Sequence, residues 1–156
     1  MSRYPVSYET QGLMAPASGP ERLAGVISHG SMLIALPLFV PVAVLLIFPL
    51  IQPGSRFVRH TAIQALLFQL LIAIVSGLLL GIASAAFSLP ILSAVVPVLG
   101  LILAPIAAII GWPVALVFGL VGGLVLLWGL WIELVATWKA FNGEPYRMPI
   151  VGGFGS

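Results

Sequence analysis

The chain is 156 residues long, 61% hydrophobic and only 6% charged, with a mean hydropathy of +1.21. Soluble domains carry about a quarter charged residues, so this composition belongs to polytopic membrane proteins and leaves room for one helical bundle. The net charge of +2 rests on six basic side chains, too few for the dense basic face of a nucleic-acid binder, and the lack of cysteine excludes disulfides, thiolate metal sites and Cys nucleophiles.

Residues 1–20 hold Pro5, Pro16, Pro20, Gly12 and Gly19 among polar side chains. Such a segment buries too little surface to offset its ordering entropy, which predicts a disordered N-terminal tail. It lacks a basic region leading into an apolar core and a small-residue cleavage site, so no cleavable signal peptide is expected. Ser18 and the Pro20-Glu21 pair then supply helix-start chemistry, with Glu21 suited to the positive end of a helix dipole.

Apolar residues run over 33–51, interrupted by Pro37, Pro41 and Pro49. Counted over 31–51 the segment would reach about 31 Å as a helix, enough for one span. The prolines open a second possibility, because each removes a helix donor and clashes with the preceding turn. Two short helices over 21–36 and 38–51 would then form a hairpin that enters and leaves on one side.

Gln52-Pro53-Gly54-Ser55 reads as a turn, and Arg56, Arg59 and His60 open a long helix over 57–86. Ser88-Leu89-Pro90 predicts a break, followed by a third apolar segment that carries Pro90, Pro97 and Pro105 and stops at Gly111-Trp112-Pro113. The last helix is expected over 114–141, closed by Asn142-Gly143, with Lys139 facing the negative end of its dipole. Residues 142–156 form a short C-terminal tail. From His60 to Glu133 nothing between is charged. The expected fold class is therefore an all-α polytopic membrane bundle over 21–141 with four hydrophobic segments, centred on residues 41, 73, 100 and 127.

Sidedness depends on which segments cross. Basic residues near span ends collect on the cytoplasmic side. With four plain spans, Arg3, Arg22, Lys139 and Arg147 share one side and Arg56 and Arg59 the other. With a hairpin first segment and a re-entrant third, all six lie together. Re-entrant backbone requires shielding by protein or a water-filled cavity.

Within this apolar setting the few polar residues stand out. Glu133, two turns from the end of its helix, costs about 2–3 kcal/mol to insert unless it is paired, hydrated or protonated. Pairing with Thr137, His29 or Gln64 is the structural reading, and a proton or substrate site the functional one. Trp131 and Trp138, with Trp128, suggest an interfacial belt nearby. Gln64 and Gln69 suit bonds across helices, or the lining of a solute path shared with Glu133. His29 and His60 lack the spacing and carboxylate company of a metal or haem site and read as polar residues at helix ends. Gly77-x-x-x-Gly81 and Gly119-x-x-x-Gly123 would let helices approach closely. Arg56, Arg59 and Lys139 read as interface anchors. No phosphate loop, Ser-His-Asp set, carboxylate pair or HExxH is present, so neither an enzymatic activity nor a cofactor is expected.

Three stretches also carry a family resemblance: Glu21-Arg22-Leu23 leading to His29; residues 56–69, from Arg56 through Gln64 to Gln69; and residues 138–149, from Trp138 to Pro149. Together they resemble a bacterial family of small membrane proteins of unknown function, itself distantly similar to the twenty-kilodalton component of the chloroplast inner-envelope protein translocon. The family's central motif commonly reads Phe-Val-Arg-Phe-His-Ala-x-Gln-Ala-Leu-Asn-Phe-Gln. Here His60 stands at the second phenylalanine, Thr61 at the histidine and Leu67 at the asparagine, so roles tied to those two side chains do not carry over. Residues 88–113 look like an insertion, and conserved flanking orientations would imply a re-entrant third segment. The resemblance implies a multi-pass protein of the inner (plasma) membrane, linked to protein translocation in the plastid relative. The expected role is non-catalytic helix packing with a membrane-protein partner or a second copy, in translocation, assembly or scaffolding. The alternative is a small-solute or ion conductor with a polar path near Gln64, Gln69 and Glu133.

Overall fold

The structure is a computed structural model that describes residues 17–34, 39–51, 53–95 and 100–152. Most of the expected N-terminal tail, residues 1–16, and Pro37 and Pro97 lie outside the described residues. Among the described residues the regular elements are helices: α1 (Gly19–Gly30), α2 (Phe39–Ile51), α3 (Arg56–Ala94) and α4 (Gly100–Phe141).

The sequence chemistry at the helix ends works as local physics dictates. The Ser18 backbone N–H donates to Glu21 Oε2 at 2.7 Å, and Pro20 sits in the first turn of α1, where its missing donor costs nothing. Gly54, at φ +85°, turns the chain into α3. Gly143, at φ +76°, closes α4: its N–H bonds Ala140 O at 2.9 Å while Glu144 N–H bonds Lys139 O at 2.9 Å.

Two expectations need correction. Residues 31–51 are not one span, because 31–34 form a turn and the helix starts only at Phe39. At about 20 Å, α2 is too short to cross a bilayer alone. Nor do the described residues show a separate third segment, plain or re-entrant. The helix expected over 57–86 runs through Pro90 to Ala94, and the one expected over 114–141 begins at Gly100 and runs through Pro105 and Pro113. The first expected segment is thus the short α2, preceded by the short α1, and the other three are taken up by the two long apolar helices α3 and α4.

At Pro90 the backbone group that proline frees meets the other long helix. Pro90 cannot bond the Ala86 carbonyl, and that oxygen faces Gly111 of α4, where an added methyl group would lie 2.5 Å from it.

The chain divides into two compact units, Met1–Leu70 with Leu130–Ser156, and Leu71–Gly129. In the first, Ala17, Ala24, Phe48, Phe57, Val58 and Ala140 form a buried cluster that draws on α1, α2, α3 and α4. Gly25 fits α1 against this wall: a methyl there would lie 3.0 Å from Ala140 Cβ and 3.3 Å from Phe57 and Thr61. Ser55 Oγ donates to Glu21 Oε1 at 2.5 Å, so the chain leaving α2 returns to the start of α1.

The second unit is an antiparallel helix pair. Ile72 meets Gly129, Leu79 and Leu80 meet Gly122, Ala83 meets Gly119, and Ala86 meets Gly111. Ile72, Ser76, Ala83, Ala86 and Pro90 form the buried face of α3 at helical spacing. A soluble core helix would be mostly buried; in α4 only 6% of the most apolar window is. Both long helices are apolar and long enough to cross a membrane.

Candidate functional site

The buried polar groups of the first unit fall into two networks. The deeper one begins at the end of α1, where Ser28-His29-Gly30-Ser31 interrupts an otherwise apolar surrounding. His29 Nδ1 lies 2.8 Å from Glu133 Oε2, with the two residues 1% and 0% exposed. Gln69 of α3 donates its amide to Ser28 O at 3.1 Å and to Ser31 Oγ at 3.3 Å, and it also lies against the Glu133 carboxylate. Ser31 Oγ donates to Ser28 O at 2.8 Å, and Thr137 Oγ1 to the Glu133 backbone carbonyl at 2.7 Å. One carboxylate therefore binds α1, α3 and α4 together.

The second network holds the C-terminal segment. Gln64 Oε1 accepts the Met148 N–H at 3.0 Å, while its amide donates to Gly152 O at 3.4 Å and to His60 Nε2 at 3.1 Å. One side chain thus offers a backbone segment the acceptor and donor that a neighbouring strand would offer. Met148 and Val151 are buried beside it, and Gly152 N–H closes a turn on Met148 O at 2.8 Å. Within that turn Ile150 has φ 74°, a strained conformation for a β-branched residue.

Apart from Glu133 and Arg147, the charged residues among those described lie at or just beyond the helix ends. Arg56 and Arg59 are exposed at the start of α3, and Lys139 pairs with Glu144 at the end of α4. Arg22 Nε donates to Ala17 O at 2.9 Å and lies against Gly143, which brings the start of α1 to the end of α4. The hydroxyl of Ser55 donating to Glu21, opposed by partial burial, holds that carboxyl below the usual carboxylate range. Trp131 and Trp138 are exposed, Trp138 stacking on Phe141 with ring centroids 6.1 Å apart.

Of the three intramembrane polar residues read from the sequence, Gln69 and Glu133 come together and Gln64 stands in the other network. The glycines expected at close approaches do not all provide them: an added methyl meets nothing at Gly77, Gly81 or Gly123, and only Ala83 at 3.8 Å from Gly119. Gly111, Gly122 and Gly129 take that role instead. Sequence reading missed Ser28, Ser31 and the Met148–Gly152 backbone as partners; the short polar run at 28–31 was the available signal for the first two.

Chemically, the deeper network can lock elements together and hold a proton between an imidazole and a carboxylate. It offers one nitrogen and one carboxylate, short of the three or four ligands of a usual metal site, and among the described residues no three His, Cys, Asp or Glu gather. Glu133 Oε1 and Thr61 Oγ1 are buried without a hydrogen-bond partner among the described residues.

Against known proteins, the model of a family described as the magnetosome magnetite crystal formation protein family matches residues 20–154. No curated protein and no solved structure matches. The match agrees with the bacterial membrane-protein part of the resemblance read from the motifs and does not support its link to the chloroplast translocon component.

Proposed function

The chain belongs to the magnetosome magnetite crystal formation protein family, and from that membership we propose that it is a non-enzymatic component of the magnetosome membrane. On this reading it acts on crystal formation through helix packing, with partner membrane proteins or with further copies of itself. The observation that carries the reading is the extent of the match, which takes in both long helices and both polar networks. The use of the buried side chains supports it as well: His29, Gln64 and Gln69 all bond neighbouring elements of the chain. The family description names the growth of a mineral, a process that membrane components can steer by assembly without turning over a substrate.

A translocation role has no observation in its favour, and a solute path through Gln64, Gln69 and Glu133 requires the three to line one route, whereas Gln64 bonds the C-terminal segment.

The test is deletion of the gene in its own cell, followed by electron microscopy of the crystals. Loss or shrinkage of magnetite particles, restored by the wild-type gene, is the expected result; unchanged crystals would overturn the proposal. Crosslinking in mild detergent should recover a defined partner or oligomer, and a strictly monomeric, partner-free protein would count against the packing mechanism.

A further inference from the structure

The start of α1, the turn before α3 and the end of α4 meet at one charged end, through the Ser55–Glu21 bond and the approach of Arg22 to Gly143. From that end α1 extends about 18 Å and α2 returns about 20 Å, while the hydrocarbon layer is about 30 Å thick. Neither helix reaches across, and the chain comes back to the side from which it left.

The surface of this hairpin identifies its surroundings. Leu33 and Ile34 after α1, Phe39 opening α2, and Leu46 and Leu50 along it are all exposed. A helix lying on a membrane keeps one polar face toward water. The α2 sequence, FVPVAVLLIFPLI, has no polar side chain on any face. A helix apolar all round must be enclosed by protein or lipid. The exposed faces therefore belong among acyl chains, with the charged base at the headgroups.

We infer that α1 and α2 form a re-entrant wedge seated in one leaflet only, on the side of Arg22, Arg56, Arg59 and Lys139, and that it directs the protein to bilayers whose leaflet on that side is convex. The inference rests on the membrane reading but not on the role in crystal formation. Material inserted into one leaflet widens that leaflet alone, and curvature that already spreads it lowers the cost of insertion. The ligand recognised is the lipid surface itself, selected by shape.

Because the chain contains no cysteine, single-cysteine variants of the full chain give a direct test. Gly19→Cys and Pro53→Cys, both at exposed positions, should react with a membrane-impermeant maleimide from the same side of oriented native membranes. Ile34→Cys should react from neither side until detergent is added. Labelling of Gly19→Cys and Pro53→Cys from opposite sides, or of Ile34→Cys from the far side, would overturn the wedge. In a second arm, full-length protein is reconstituted at trace density into small and large vesicles of the same lipids. It should be enriched severalfold per lipid in the small ones with its charged end outward, and Leu46→Lys with Leu50→Lys should abolish the enrichment. Equal density of the wild-type protein in both sizes would overturn the curvature preference, whatever the variant does. Release of the wild-type chain from membranes by alkaline carbonate would instead overturn the membrane reading.

Discussion

Glu133 and His29 lie 104 positions apart in the chain, yet each is the other's polar neighbour in a dry interior. Removing Glu133 leaves His29 Nδ1 unsatisfied and removing His29 leaves the carboxylate only Gln69, at a cost of about 1–3 kcal/mol, more than the bond itself contributes. His29→Leu and Glu133→Leu should each lower stability by about that amount, and the double variant by less than their sum, as read from thermal unfolding in detergent. Gln64→Leu should leave the helices intact and free the segment around Met148, seen as faster proteolysis C-terminal to Gly143. Glu21 predicts an acid effect. Its carboxyl titrates below the usual range in the folded chain, so its contribution is full above the unfolded value and is lost as pH falls through the folded one. Glu21→Gln should therefore flatten the acid limb of stability against pH. At this scale the sequence was informative about which residues matter and silent about most pairings. A lone glutamate in an apolar helix announces a need, and His29 was one of three candidates to meet it. Nothing in Gln64 pointed to a backbone more than eighty positions away, because an amide carries no preference for a particular partner.

At the scale of elements, small residues decide how closely α3 and α4 pack. Gly111→Ala would drive a methyl against the Ala86 carbonyl, a backbone atom that cannot swing aside, and should destabilise by about 1–3 kcal/mol. Gly77→Ala and Gly81→Ala enter open space and, as helix-interior replacements of glycine, should be neutral or stabilising by up to about 1 kcal/mol. Unfolding of the three variants in a denaturing detergent series would separate the two groups. Spacing alone misled here. A four-residue glycine repeat marks a possible seam, but which stripe faces the partner depends on the rotation of the whole helix. The close approaches fall instead at 111, 122 and 129, intervals of eleven and seven that also keep one face. The prolines misled for a related reason: Pro90 reads as a stop in isolation, and the approach of Gly111 to the carbonyl it frees cannot be seen from neighbouring residues.

For the molecule as a whole, composition was decisive and topology was not. An uncharged run from residue 61 to residue 132 fixes the solvent as lipid, and the exposed apolar faces of α3 and α4 agree. The protein should therefore stay with the membrane pellet in alkaline carbonate and enter solution only with an amphiphile; recovery of folded protein from the aqueous fraction would refute this. Counting apolar runs gave four because hydropathy cannot tell a long helix containing proline from two short ones. Arg56, at the start of α3, and Lys139, near the end of α4, both belong to the first unit.

The left-handed turn at Ile150 has a consequence for the order of assembly. No local preference favours that backbone shape in a β-branched residue, so the free segment does not hold it, and it forms only against a finished mould. The Gln64 amide and the slots for Met148 and Val151 must exist first. Residues 148–152 then seat after the helix that carries Gln64, and their seating reports that this part of the first unit has closed.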